Sequence, residues 1–122
     1  MTRAQFEKLV AAALDTLPAK FRRLLENVAV IVADRPPREG RAGGLLLGEF
    51  IGVPRTEKSA WHAVSEPGRV VLYQKNIEAY AEDAAAEELR PVEEIIREEV
   101  RLTVLHELGH YFGLGEEALA DV

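Results

Sequence analysis

The segment that most constrains the fold of this chain lies near its C-terminal end. There, His106 and His110 enclose Glu107 in the pattern H-E-x-x-H. On a helix, side chains at positions i and i+4 lie one turn apart, with Cβ atoms roughly 5 to 6 Å from each other. Two imidazoles at this spacing can converge on one tetrahedral metal ion. The motif therefore predicts a helix, with Glu107 placed to act as a general base on a metal-bound water.

The residues after the motif offer a third metal ligand. Gly113 is a natural helix stop three residues after His110, and Glu116 and Glu117 follow it. A chain that turns at Gly113 can bring one of these carboxylates back toward the two imidazoles. Catalytic zinc sites combine three protein ligands of this kind with one position for water. The spacing leaves open whether Glu116 or Glu117 is the third ligand.

The hydrophobic pattern before the motif predicts one long helix from Pro91 to about Phe112, since proline suits a first helical turn. At about 100° per residue, both motif histidines fall on the same stripe as several residues that precede them. These residues are Val92, Ile95, Ile96, Val100 and Thr103. We therefore predict that the histidines face inward, on a helix that is apolar on both flanks in its C-terminal half.

The rest of the chain has an α+β pattern. Apolar residues at helical spacing predict a helix from Thr2 to about Thr16, residues 19–26 predict a short second helix, and residues 76–89 a third. The β-branched run at 28–32 predicts a buried, central strand. Residues 45–51 and 69–74 predict two more strands, and residues 34–44 have the composition of a mobile loop.

Length and composition exclude several classes of protein. The 122 residues contain no linker or repeat, so one domain spanning residues 1–122 is expected. The net charge of −6, with scattered basic residues, argues against nucleic acid as a partner. Without cysteine, a metal site must use His, Asp and Glu. No apolar segment has the length of a membrane span, so we predict a soluble, cytoplasmic protein that does not bind membranes. The oligomeric state is not predicted.

With these residues identified, the chain resembles the zincin-like metallopeptidase family of small bacterial proteins. The resemblance rests on residues 106–114 and 116–119, and residues 47–54 and 69–75 support it. It implies a minimal zincin-like fold, in which a small mixed sheet of about three to four strands packs on helices that include the motif helix. The family pattern H-E-x-x-H-x-x-G-x-x-Asp implies Zn²⁺ ligands at His106, His110 and Glu116. Glutamate is one methylene longer than aspartate, so Glu117 remains a competing third ligand.

The resemblance implies a zinc metallopeptidase that acts on peptides or unfolded proteins. In this hypothesis Glu107 takes a proton from the metal-activated water and passes it to the leaving amine. An extended peptide would lie along the strand at 45–51. Tyr73, Tyr111 and His62 are candidates for stabilising the oxyanion.

A function of a different class is also open. So short a chain has few residues with which to build the second wall of a peptidase cleft. The protein would then be a catalytically weak or inactive zincin scaffold that serves as a protein-interaction or regulatory module.

Overall fold

A computed structural model describes residues 1–37, 45–52 and 68–113 of the chain. The elements in these ranges are α1 (Arg3–Asp15), α2 (Ala19–Leu24), a 3-10 turn (Leu25–Asn27), β1 (Ala29–Ala33), β2 (Gly48–Ile51), β3 (Arg69–Tyr73), α3 (Gln74–Glu88) and α4 (Val92–Tyr111). The predicted helices and strands are thus present with boundaries shifted by a few residues. Among the helices in these ranges, none has the length and apolar character needed to cross a bilayer.

The three described strands form a mixed sheet with β3 in the middle. β1 runs parallel to β3, and β2 runs antiparallel to it, with Gly48 opposite Leu72. Helices and a small mixed sheet together confirm the predicted α+β class. The prediction of a buried central strand at 28–32 was wrong, because β1 lies at an edge of this sheet and Ile31 is 42% exposed. A β-branched run fits either position, since both positions offer a face that packs against neighbours.

Helices cover one face of the sheet, and α4 lies in the core between them. It packs against α1, α3 and β2. From the sheet, Val70 and Leu72 are fully buried in this core. The buried residues of α4 are Ile95, Ile96, Val100, Val104, Leu105, Leu108, Gly109 and Tyr111. The helix that carries the H-E-x-x-H motif is therefore a core element, and its position is fixed by contacts with several others.

α1 begins with the cap that its sequence encodes. The Thr2 hydroxyl accepts a hydrogen bond from the backbone N–H of Gln5, and the Gln5 side chain accepts one from the backbone N–H of Thr2. This capping box satisfies two backbone donors that the first turn leaves without a helical partner. The buried residues Phe6, Val10 and Ala13 then face the core. α1 is thus a complete amphipathic helix, as its hydrophobic spacing predicts.

Gly48 allows β2 to approach the motif helix closely. A Cβ atom added to Gly48 would lie 2.7 Å from Thr103 Cγ2 and 2.9 Å from the carbonyl oxygen of Val71. Both separations are shorter than van der Waals contact, and the carbonyl belongs to the central strand, so it cannot rotate away. β2 and α4 can therefore lie at this distance only with glycine at this position.

We expect Gly48→Ala to lower the free energy of unfolding by about 1 to 3 kcal/mol, because the added methyl overpacks the contact between β2 and α4. Urea unfolding of wild type and variant measures this loss. In a Thr103→Ser background, which lacks the Cγ2 methyl, Gly48→Ala should lower the free energy of unfolding by less. Some loss should remain, because the added methyl still meets the carbonyl of Val71. Equal stability of Gly48→Ala and wild type would contradict the close packing.

Candidate active site

α4 presents the H-E-x-x-H residues in its last turns and ends where the sequence predicts. Tyr111 is the last helical residue, and Gly113 follows with a φ of 68°. This left-handed conformation costs glycine nothing, because glycine has no Cβ. The N–H of Gly113 donates to the carbonyl of His110 over 3.3 Å. The predicted helix stop is thus confirmed, while Glu116 and Glu117 lie outside the described residues.

His106 and His110 are both exposed, so the prediction that they face inward was wrong. Val104 and Leu108 form the buried side of these turns instead. The stripe drawn through residues 92–103 lies largely in the buried face of α4, but that face shifts round the helix in the last turns. Extending that stripe by a further turn or two therefore leads to the surface. Both histidine side chains are therefore in contact with solvent.

Glu107 lies half-buried between α4 and β2. Its Oε2 accepts a hydrogen bond from the backbone N–H of Phe50 over 3.2 Å. Burial, which has the largest effect, and the charge of Glu49 both raise the pKa of Glu107. The hydrogen bond from Phe50 and the charges of His110 and His106 lower it. The pKa is raised overall. His106 and His110 lie on the same helix, one residue before and three residues after Glu107. A raised pKa suits a carboxylate that must accept a proton near neutral pH.

The hydrogen bond to Glu107 comes from the outer edge of the sheet. The N–H of Tyr73 donates to the carbonyl of Leu47 over 2.9 Å, so the Leu47 carbonyl points toward β3. Backbone groups alternate in direction along an antiparallel strand, so those of Glu49 also point toward β3 and those of Phe50 point away from it. In residues 1–37, 45–52 and 68–113, no strand pairs with this outer side of β2. The carboxylate of Glu107 therefore binds the backbone N–H of Phe50, to which a further strand added at this edge would hydrogen-bond.

Aromatic rings join β2 to the end of α4. The rings of Phe50 and Tyr111 stack with centroids 3.9 Å apart, and Phe112 meets Tyr111 edge-on at 4.7 Å. Gly68 makes room for this stack, because a Cβ atom there would lie 2.1 Å from Phe50 Cζ. Tyr111, a candidate for stabilising the oxyanion, thus has its ring packed in the contact that fixes β2 beside Glu107.

A second acid, Glu49, lies near this site, on the face of β2 opposite to the Phe50 side chain. The hydroxyl of the buried Tyr73 donates to Glu49 Oε1 over 2.7 Å. Burial, the hydrogen bond and the charge of Glu49 together raise the pKa of Tyr73 to about 12. Tyr73, another oxyanion candidate, is therefore engaged by Glu49, whereas His62 lies outside the described residues. The sequence does point to Glu49, because it lies in the strand at 45–51 along which a peptide was expected to bind, and inside the segment that supports the family resemblance.

The raised pKa of Tyr73 predicts a specific loss of stability in alkali. An unfolded tyrosine loses its proton near pH 10, whereas Tyr73 in the folded chain keeps it to about pH 12. The stabilisation is complete below pH 10 and is lost as the pH rises toward 12, with a slope of at most about 1.4 kcal/mol per pH unit. Tyr73→Phe should remove this part of the slope. Urea unfolding at pH 9 to 11.5 measures it, and identical slopes for both proteins would contradict the pKa.

The donor set fits a zinc site in its chemistry. His106 and His110 offer imidazole nitrogens from successive turns of one helix. Two imidazoles and one carboxylate are a common zinc ligand set. Within the described part of the chain, no three His, Asp or Glu residues form a group that could hold a metal ion. The predicted third ligands, Glu116 and Glu117, belong to the part that is not described.

Comparisons with known proteins agree with this architecture. A family model described as zincin-like metallopeptidase matches residues 25–122, which include every described element except α1 and α2. This match confirms the resemblance drawn from the motif. Among solved structures, the chain is similar to a conserved hypothetical protein from Thermo thermophilus, with 29% identity over 98% of each chain and a TM-score of 0.53. No curated protein matches the chain.

Proposed function

Because the chain belongs to the zincin-like metallopeptidase family, we propose that it is a zinc-dependent peptidase that hydrolyses peptides or unfolded proteins. The observation that supports this proposal most strongly is the position of Glu107. Its carboxylate is half-buried, lies in the same turns of α4 as two exposed histidines, and binds the outer edge of the sheet. A general base, two metal-ligand side chains and a place for an extended peptide thus meet at one end of α4.

In this proposal His106 and His110 hold Zn²⁺ together with Glu116 or Glu117. When bound, zinc polarises the scissile carbonyl and makes water more acidic. The exposure of both imidazoles leaves the site open to solvent and to a peptide chain. With no cysteine in the sequence, the ligands are nitrogen and oxygen atoms only.

Glu107 moves the proton. Its carboxylate takes a proton from the attacking water and delivers it to the nitrogen of the leaving amine, which completes hydrolysis of the peptide bond. Before substrate binds, the N–H of Phe50 holds Oε2 and so fixes the orientation of the carboxylate. The burial that raises the pKa of Glu107 favours proton uptake, because a stronger base accepts the proton more readily.

The substrate would add to the outer edge of β2 as an extended strand. Backbone pairing of this kind orients a peptide without requiring a particular side-chain sequence. A peptide carbonyl that accepts the N–H of Phe50 would replace Glu107 as its partner. Binding would thus free the carboxylate for proton transfer and place the peptide backbone beside it.

Zinc content and proteolysis of the His106→Ala variant test the proposal. We expect about one zinc per wild-type chain after loading and dialysis, and cleavage of an unfolded protein such as carboxymethylated lysozyme. His106→Ala should lose both the zinc and the cleavage. His62→Ala, which changes the remaining histidine, should keep its zinc. Absence of zinc from the wild type at saturating metal, at a pH where histidine is neutral, would overturn the proposal.

A further inference from the structure

We propose that Glu49 makes this site selective for substrates that carry lysine or arginine. The basic side chain would lie opposite Glu49 on the peptide strand added to the outer edge of β2. This inference rests on the proposed peptidase function and names the class of substrate that the site prefers.

Glu49 is held in place by the central strand. Tyr73, which is 3% exposed, donates its hydroxyl to Glu49 Oε1 over 2.7 Å. A carboxylate anchored in this way loses little conformational entropy when it pairs with a cation, because it is already ordered. The anchor uses one acceptor position, and an ionised carboxylate has about four. Glu49 can therefore accept further hydrogen bonds from a basic group.

Glu49 also lacks a cationic partner in the part of the chain that the structure describes. The ion pairs in that part involve Glu78, Asp34, Glu88, Glu94 and Glu98. Glu49 directly precedes Phe50, whose N–H binds Glu107, so the two carboxylates lie near each other and repel. A substrate cation beside Glu49 would offset this repulsion between two acids, whereas a substrate carboxylate would add to it.

The register of β2 determines which substrate residue meets Glu49. The backbone groups of Gly48 and Phe50 point away from β3, so an antiparallel peptide would form its hydrogen bonds with these two residues. The peptide residue between those bonds lies opposite Glu49 in a non-hydrogen-bonded pair, with Cα atoms about 4.5 Å apart. In such pairs the side chains are close and lie on the same face of the sheet, and opposite charges attract.

Mapping of cleavage sites tests the preference. Zinc-loaded wild type would digest carboxymethylated lysozyme, and mass spectrometry would identify the peptide ends. We expect lysine or arginine to be enriched about two- to fivefold at one fixed distance from the cut. Glu49→Gln should abolish this enrichment, because glutamine can still accept from Tyr73 but carries no charge. Glu49→Lys should favour Asp and Glu at the same position.

Glu82 provides a matched control, since it is an exposed acid on α3 away from β2. Glu82→Gln and Glu82→Lys change the net charge by the same amounts as the Glu49 variants. Both should retain the cleavage pattern of the wild type. Loss of the basic preference in the Glu82 variants as well as in the Glu49 variants would overturn the proposal, because the preference would then reflect net charge alone.

A binding measurement separates failure of this inference from failure of the peptidase proposal. Fluorescently labelled acetyl-(Ala-Lys)5-amide and acetyl-(Ala-Gln)5-amide would be titrated into zinc-loaded Glu107→Gln protein, which should not cut them. In an extended alternating peptide all lysines lie on one face, so a register with lysine opposite Glu49 always exists. We expect tighter binding of the lysine peptide by about two- to fivefold, and no difference once Glu49→Gln is added.

These measurements have distinct outcomes. Binding that depends on Glu49, without cleavage of any substrate, would support the selectivity of Glu49 and refute the peptidase function. Cleavage with the same sequence preference in wild type and Glu49→Gln would refute the role of Glu49 and leave the peptidase function standing. The role of Glu49 would also be refuted if Glu107→Gln bound both peptides equally and the cleavage sites showed no enrichment of basic residues.

Discussion

Glu107→Gln is expected to lower kcat/KM for peptide hydrolysis by about 10²- to 10⁴-fold while the chain keeps its zinc. Glutamine has the shape of glutamate, and its carbonyl oxygen can still accept the hydrogen bond that Phe50 donates to Oε2. It cannot take a proton from water near neutral pH. The substitution therefore removes the proposed base and preserves both the packing between α4 and β2 and the two histidines.

Zinc content by elemental analysis and initial rates of peptide cleavage, measured on the same preparations, check this expectation. Glu82→Gln removes an exposed acid of α3 and should have wild-type activity and zinc content. Wild-type rates in Glu107→Gln would rule out Glu107 as the base. If wild type and variant both bind zinc and neither cleaves a broad set of peptides, the interaction or regulatory module becomes the better hypothesis.

The local part of the site could be predicted from sequence because its signals are local. The i and i+4 spacing of the histidines fixes their relation on any helix. Gly113 has a positive φ and follows the end of α4, as a glycine helix stop requires. Proline at 91, just before the first helical residue, also lies where its fixed φ suits a helix start. These features involve few residues close in sequence, so tertiary packing did not change them.

The tertiary part of the site could not be predicted in the same way. The bond from Phe50 to Glu107 joins residues 57 positions apart, and it forms because β2 is antiparallel to β3 with its outer edge near α4. Hydrophobic periodicity carries no information about strand order, so β1 was predicted to be central, whereas it lies at an edge of the sheet formed by the described strands. The inward orientation of the histidines failed for a related reason. The direction of the core is set by the neighbours of α4, which include α1, α3 and β2.

The match to the zincin-like family begins at residue 25, yet α4 relies on a helix before that point. α1 packs against α4, and Phe6 of α1 is 0% exposed within the common core. The first helix thus supports the motif helix, although it contributes no residue to the candidate site. Its contribution should appear in stability rather than in metal chemistry.

We expect Phe6→Ala to lower the free energy of unfolding by about 3 to 5 kcal/mol, because truncation of a fully buried aromatic ring loses its burial and leaves a cavity. This is a large part of the roughly 5 to 15 kcal/mol by which domains of this size are stable. Urea unfolding followed by circular dichroism measures the loss. Glu7→Ala, at the neighbouring exposed position of α1, should change stability by no more than about 0.5 kcal/mol. Similar values for Phe6→Ala and Glu7→Ala would mean that α1 does not support α4.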